Sequence, residues 1–186
     1  MAFPVKKNGF TLIEVLITMV VFLIGMLGLL TLLLKGQAQQ FESTQRAQAV
    51  SMANNMAEKI KMNYSAVSSY VTGVSNPVGD GTLYNSLMLG GIVDCGSGAC
   101  PAGALATYDM AIWDSELLGT KEQNSGNNVG GIINGRGCVE SLGGTTYRVS
   151  VAWQGNKDTI APTLLCGANL YTAETKRRVV SVELTL

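Results

Sequence analysis

The chain opens on two contrasting helical patterns laid end to end. From Val15 to Leu34 run twenty residues without a charge, and only Thr18, Gly25, Gly28 and Thr31 depart from large apolar side chains. At about 1.5 Å rise per residue this stretch covers ~30 Å, the thickness of a bilayer's hydrocarbon core. Past Lys35-Gly36 the period continues but the composition changes. Ala38, Phe41, Gln45, Ala49, Met52, Met56 and Ile60 recur at three- and four-residue spacings, with Glu42, Arg46, Glu58 and Lys59 among the polar residues between them. Such a stripe marks a helix that lies on a globular domain. No proline interrupts Phe10–Asn63. The pattern predicts one helix of roughly 54 residues: a membrane-spanning half over 10–34, an amphipathic half over 35–63, then a domain built from 64–186.

Beyond the helix the signals are more local. Ser65–Val71 reads as one further helical turn, and 72–106 as irregular chain rich in Gly and Ser. Thr107 is placed to cap a short helix through Leu118, with Met110, Trp113, Asp114 and Leu117 at helical spacing and Gly119 as its stop. Asp109, Asp114 and Glu116 read as that helix's wet face. The Gly- and Asn-rich run Thr120–Gly137 reads as a surface loop. The period then drops to two. Gly137–Leu142 is a predicted strand, Gly143-Gly144 a hairpin turn and Thr145–Gln154 the partner strand. In that partner Tyr147, Val149, Val151 and Trp153 alternate with Arg148, Ser150, Ala152 and Gln154. A last strand, Val179–Leu186, puts Val180, Val182, Leu184 and Leu186 on one face and Ser181, Glu183 and Thr185 on the other. One face of this antiparallel sheet is expected to pack on the stripe around Met52–Ile60, which makes the fold α+β.

Composition narrows the chemistry. Of 186 residues, about 120 follow the long helix, enough for one domain with its own core. Thirteen basic and thirteen acidic residues cancel, so no overall field draws nucleic acid. Lys176-Arg177-Arg178 reads as a solvated guard on a strand edge, with a phosphate or DNA contact as the alternative. The chain has no histidine, which removes Ser-His and Cys-His catalysis, and it lacks a Gly-x-Ser-x-Gly elbow and a Walker loop. No enzyme activity, cofactor or metal is expected. Four cysteines, an even number, point to disulfides in an oxidising compartment such as the periplasm. Three pairings are open; Cys95–Cys100 with Cys138–Cys166 is favoured, because the first pair closes a short Gly-rich loop. A zinc site would show paired knuckles, and only one pair comes near that spacing.

Glu14 is the misfit. A carboxylate in a membrane-embedded helix costs roughly 2.5–3.5 kcal/mol on insertion scales, so it marks a role or a partner. One reading lets it snorkel to the headgroups. The other needs a positive charge that the written chain lacks. Cleavage between Gly9 and Phe10 would create an α-amine four residues before Glu14, and positions i and i+4 are neighbours on a helix. A conventional secretory signal has a shorter apolar core and a small-x-small site; here Gly36-Gln37-Ala38 follows Lys35. An ordinary single-pass anchor fits the hydropathy but leaves Glu14 and the Gly-Phe junction as coincidences. Lys6 and Lys7 ahead of the span, together with the cysteines beyond it, orient the N-terminus to the cytoplasm and the domain outward.

Lys6-Lys7-Asn8-Gly9-Phe10-Thr11-Leu12-Ile13-Glu14 resembles the class III signal of type IV prepilins and related pseudopilins. There a basic leader ends in Gly, the mature chain starts with Phe, and Glu is its fifth residue. The resemblance implies a leader over 1–9 removed by an inner-membrane prepilin peptidase, N-methylation of Phe10, and a Glu14 that neutralises the amine of a neighbouring subunit and sets its register in a filament. It also implies the pilin ladle, a long N-terminal helix packed against a small antiparallel sheet. Many major pilins carry a proline midway along the membrane half; Gly25 and Gly28 stand there instead, a spacing that permits bending or close helix approach.

The chain is further similar to the PilV-type minor pilins (type IV pilus modification proteins). The similarity rests on the Met56–Asn63 helix end, the helix carrying Asp109 and Trp113, the Tyr147–Trp153 strand and the terminal strand. It implies a minor pilin that primes or modulates type IV pilus assembly, with associated adhesion and twitching motility. Its implied partners are other minor pilins, the major pilin and the inner-membrane assembly platform. Its implied location is the inner membrane, single-pass, with a periplasmic domain, and then the pilus at the cell surface. The alternatives are a minor pseudopilin of type II secretion, whose N-terminus would look identical, and a pilus-displayed adhesin or DNA-binding module. The neutral charge gives no specific nucleic-acid partner.

Overall fold

The computed structural model describes residues 9–96, 98–120, 122–125, 127–128 and 130–186. Residues 1–8 of the expected leader, Lys6 and Lys7 among them, lie outside the described residues, as do Ser97, Lys121, Gly126 and Val129. The chain divides into two compact units, Met1–Phe41 and Glu42–Leu186.

Helix α1 runs Leu12–Met62, 51 residues. In the first unit its apolar side chains are exposed along the whole run, from Leu12 at 91% to Leu34 at 66%. Its most apolar window has a mean hydropathy of 2.7. Two hydroxyls that would be orphaned in lipid bond back to the helix: Thr18 donates to the Val15 carbonyl at 2.9 Å and Thr31 to that of Gly28 at 2.8 Å. This use of the backbone is how Ser and Thr enter apolar helices at little cost.

In the second unit α1 buries Gln45, Ala49, Ala53, Met56, Ala57 and Ile60. Met52 is half-buried, and Phe41, expected as an anchor of the stripe, is 47% exposed. Three alanines in the buried set keep that face low, so the neighbouring elements pack close to its backbone. A 3-10 helix spans Tyr64–Tyr70. Helix α2 (Thr82–Met88) lies inside the stretch expected to be irregular. Helix α3 covers Ala102–Leu118 and ends at Gly119, whose φ of 68° is left-handed. It therefore begins five residues before the expected cap at Thr107. Pro101, with φ −57° and ψ 147°, makes the entry instead, and the Thr107 hydroxyl bonds the Gly103 carbonyl within the helix.

Strands β1 (Gln123–Asn124) and β2 (Asn127–Asn128) form a two-residue ladder inside the expected loop. The main sheet holds β3 (Arg136–Gly143), β4 (Thr146–Gln154) and β5 (Arg177–Thr185) in the order β3-β4-β5, antiparallel throughout. One face of the sheet packs on α1 and α3. Val139, Val149, Val151, Trp153 and Leu184 join Met56, Ile60, Tyr70, Met110, Trp113 and Leu117 in one core, with Val180, Val182 and Leu186 packed against it. Gly137 is required there, because a Cβ would meet the Trp113 ring at 2.4 Å.

The opposite face is drier than alternation implied. Ser150 and Ala152 are fully buried, and Cys138, Ala152, Cys166 and Tyr171 form a second cluster. The connection between β4 and β5 covers it. Arg177 belongs to this layer and corrects the reading of a solvated basic cluster: it is 2% exposed. Its guanidinium donates to Glu174 Oε2 at 2.6 Å and to the carbonyls of Leu164, Cys166 and Pro162. A buried cation is tolerated only with its donors filled, and this connection supplies four acceptors.

Candidate functional site

Gly9, Phe10 and Thr11 precede the first turn of α1. Phe10 is 83% exposed, and among the described residues a Cβ on Gly9 would meet nothing within 4 Å, so none of them crowds the Gly9-Phe10 bond. The Thr11 carbonyl accepts the first helical bonds, from the amides of Glu14 (3.1 Å) and Val15 (3.4 Å). Glu14 thus sits in the first turn, exposed, where the helix dipole favours an anion. Because α1 starts at Leu12, Phe10 lies outside the helical repeat. Helical geometry therefore does not by itself place Phe10 beside Glu14.

The second unit holds the other groups singled out from sequence. Asp109 and Asp114 do not form a wet carboxylate pair; both are buried, and each serves a different joint. Asp109 Oδ2 accepts from the Tyr70 hydroxyl at 2.7 Å, and its Oδ1 lies 3.3 Å from Lys59 Nζ. Asn63 donates to the same Tyr70 oxygen at 3.1 Å and to the Ala102 carbonyl at 2.8 Å. Four side chains so lock the end of α1, the 3-10 turn and the start of α3. Asp114 receives three backbone amides: Gly79 (2.8 Å) and Gly81 (3.1 Å) on Oδ1, and Tyr84 (3.0 Å) on Oδ2. It caps α2 from another helix. Asp80 assists from nearby, and its hydrogen bonds with Thr82 hold its carboxyl below the usual aspartate range.

Gln45 is the remaining polar group on the buried stripe, and its Oε1 accepts the Ile133 amide at 2.9 Å. A glutamine at a stripe position was the visible hint of that contact. Asp114 and Arg177 carried no comparable signal, since their partners lie in segments without regular patterns.

Burial, and then the bond to Asp109, push the Tyr70 hydroxyl well above the ordinary value of 10.0; burial does the same to Tyr171. Both folded values lie above the unfolded one. Neutral tyrosine therefore stabilises the fold fully below about pH 10, and that stability is lost as pH rises through the folded values. The chain is expected to lose thermal stability steeply above about pH 10, with Tyr70→Phe flattening the alkaline limb. A midpoint that falls equally fast in the Tyr70→Phe, Tyr171→Phe double variant would remove this cause.

Cys95 is bonded to Cys100, and Cys138 to Cys166. The first pair staples a surface loop. The second ties β3 to the β4–β5 connection across 28 residues, with both sulfurs fully buried. Closing a loop of that length removes denatured-state entropy worth roughly 3.5 kcal/mol. The Cys138→Ser, Cys166→Ser double variant is accordingly expected to unfold at distinctly lower denaturant, whereas opening Cys95–Cys100 costs roughly 2 kcal/mol. Equal midpoints for the two double variants would contradict the difference. Among the described residues no group of three His, Cys, Asp or Glu is placed to hold a metal ion.

The family model for type IV pilin Tt1218 matches residues 37–111, and the prokaryotic N-terminal methylation motif matches residues 5–30. No curated protein and no solved structure matches the chain. The methylation motif covers the Gly9-Phe10 junction, Glu14 and most of the exposed apolar run; the pilin model covers the helix stripe, the Tyr70–Asp109 lock and most of α3. Over residues 37–111 the chain is similar to type IV pilin Tt1218, and over residues 5–30 it carries the prokaryotic N-terminal methylation motif, a pairing that supports a pilus subunit.

Proposed function

We propose that the chain is a minor pilin that primes or modulates type IV pilus assembly, and so supports adhesion and twitching motility. A prepilin peptidase cuts after Gly9, Phe10 is N-methylated, and the apolar half of α1 holds the subunit in the inner membrane with its domain in the periplasm. Assembly then moves that half of the helix into the filament. Its partners are the peptidase, other minor pilins, the major pilin and the inner-membrane assembly platform. The observation that carries this reading is Glu14, the single charge between Phe10 and Lys35, at the head of an uncharged, exposed helical run.

The chemistry is charge matching. Cleavage frees an α-amine at Phe10, and the intact chain does not bring Phe10 and Glu14 onto one helical face. The Glu14 carboxylate is therefore available to the amine of a neighbouring subunit. Pairing between chains offsets the cost of carrying both charges into an apolar core. The buried disulfide between Cys138 and Cys166 fits a domain that matures in the periplasm.

Mass spectrometry of the membrane-extracted chain tests the first step. The expected product lacks residues 1–9, carries one methyl on its N-terminal Phe10 and retains both disulfides. An intact N-terminus in cells with a working peptidase would end the proposal. Quantifying the chain against the main filament subunit in sheared pili tests the minor role, with a substoichiometric ratio expected.

A further inference from the structure

The two edges of the main sheet are treated differently. The outer edge of β3 is closed by residues 72–78. Val78 and Gly137 exchange two backbone hydrogen bonds of 2.8 Å, Thr72 and Gly73 donate to the Val139 carbonyl, and the Val139 amide donates to the Thr72 hydroxyl. β5 has no such cover. Its register on β4 is unbroken from Arg177 to Thr185. Two flanking bonds, Leu186 amide to Thr145 carbonyl and Gly155 amide to Lys176 carbonyl, set the phase of the ladder. Bonded and non-bonded pairs alternate in an antiparallel sheet, so the even-numbered residues of β5 bond to β4.

The odd-numbered ones point away. Arg177 is already engaged, its amide on the Glu174 carbonyl and its carbonyl on the Arg178 guanidinium. Val179, Ser181, Glu183 and Thr185 direct their N–H and C=O groups outward, and among the described residues nothing bonds those groups. At about 3.4 Å per residue the row extends over ~20 Å. The usual guards are missing from it: Val179–Leu186 contains no Pro, Gly or Lys, and no bulge breaks its register. Its one charge, Glu183, is turned onto Arg148 of β4 at 2.8 Å. Val180, Val182 and Leu186 pack on the core yet remain only partly buried.

We propose that β5 is a docking edge that takes up an extended segment of a different pilin subunit by strand addition, an inference that rests on the pilus-subunit reading above. The segment alternates apolar and polar side chains. Its apolar side chains lie beside Val180, Val182 and Leu186 and extend the core; its polar ones lie beside Ser181, Glu183 and Thr185. A second copy of this chain does not fit. Antiparallel β5–β5 pairing is two-fold and reverses the helical segment Glu42–Met62 in one copy, whereas subunits related by rotation and translation in one filament point the same way. Parallel pairing of the same two edges turns one copy's core face outward.

Residue-resolved amide exchange on the full chain, free in detergent micelles and within filaments sheared from cells that overproduce it, tests the edge. In the free chain the Ser181, Glu183 and Thr185 amides exchange fast, while Val180, Val182 and Leu184 are protected. In filaments the three odd-numbered amides are expected to slow by at least about tenfold. Filaments that contain the chain with those amides still fast overturn strand addition and leave the subunit reading standing. Absence of the chain from filaments overturns both. Ser181→Pro deletes an outward N–H without removing a bond to β4, and Ser181→Lys keeps the backbone while placing a guard on the edge. Both are expected to lose filament incorporation while still folding, and native-like incorporation of the lysine variant overturns the proposal.

Discussion

Replacing Glu14 with alanine should leave removal of residues 1–9 intact and lower incorporation of the chain into filaments by up to about two orders of magnitude. The size follows from the cost of an unpaired charge in an apolar core, roughly 2.5–3.5 kcal/mol, at 1.4 kcal/mol per tenfold. Without the carboxylate, the new amine of Phe10 carries that cost alone. The helix itself should not suffer, since Glu14 is exposed and alanine is the better helix former. The measurement compares processed chain in the membrane with chain in sheared filaments, for Glu14→Ala and for Glu14→Gln. Wild-type incorporation of both variants would leave the carboxylate without its proposed role.

Asp114→Ala should be the most damaging single change in the second unit. It strands the amides of Gly79, Gly81 and Tyr84, all now bonded to one fully buried carboxylate. Leaving such donors unpaired costs about 3–5 kcal/mol in all, an effect of the size that marks a broken buried network. The unfolding midpoint of the full chain in detergent reads the loss, and amide exchange locates it, with α2 opening first. Asp114→Asn keeps an acceptor oxygen and should retain part of the stability. A midpoint unmoved by Asp114→Ala would show that α2 does not depend on this cap.

The legible and the hidden parts of the fold divide along physical lines. The N-terminal helix could be read because twenty uncharged residues at helical spacing leave few alternatives, and its observed span falls three residues short of the predicted 54. The hairpin and the last strand could be read because alternation and a Gly-Gly turn are local signals. Helix α2 could not. Its N-cap is Gly81 in a left-handed conformation without a side-chain cap; Asp80 takes only the Thr82 amide, and the carboxylate on the Tyr84 amide comes from Asp114, thirty residues on. The start of α3 is hidden for a related reason: Ala102-Gly103-Ala104 has no periodicity, and an extended Pro101 rather than a capping hydroxyl begins it. The burial of Ser150 and Ala152 is hidden because alternation reports only that a strand has two faces, and that of Arg177 because a basic cluster does not reveal the carbonyls that enclose it.

Local order along the chain was enough to specify the exposed apolar helix, the Gly9-Phe10-Glu14 arrangement at its head, and the antiparallel pairing of the C-terminal strands. Each depends on neighbours a few residues apart, which the chain carries wherever it goes. Tertiary structure decided which carboxylates are buried, which arginine is enclosed, and which face of the sheet is roofed. It also closed one edge of that sheet and left the other free. Those outcomes require residues well apart in sequence to meet, from 11 positions for Arg177 and Cys166 to 67 for Thr72 and Val139, and burial makes each unpaired polar group expensive enough to choose its partner.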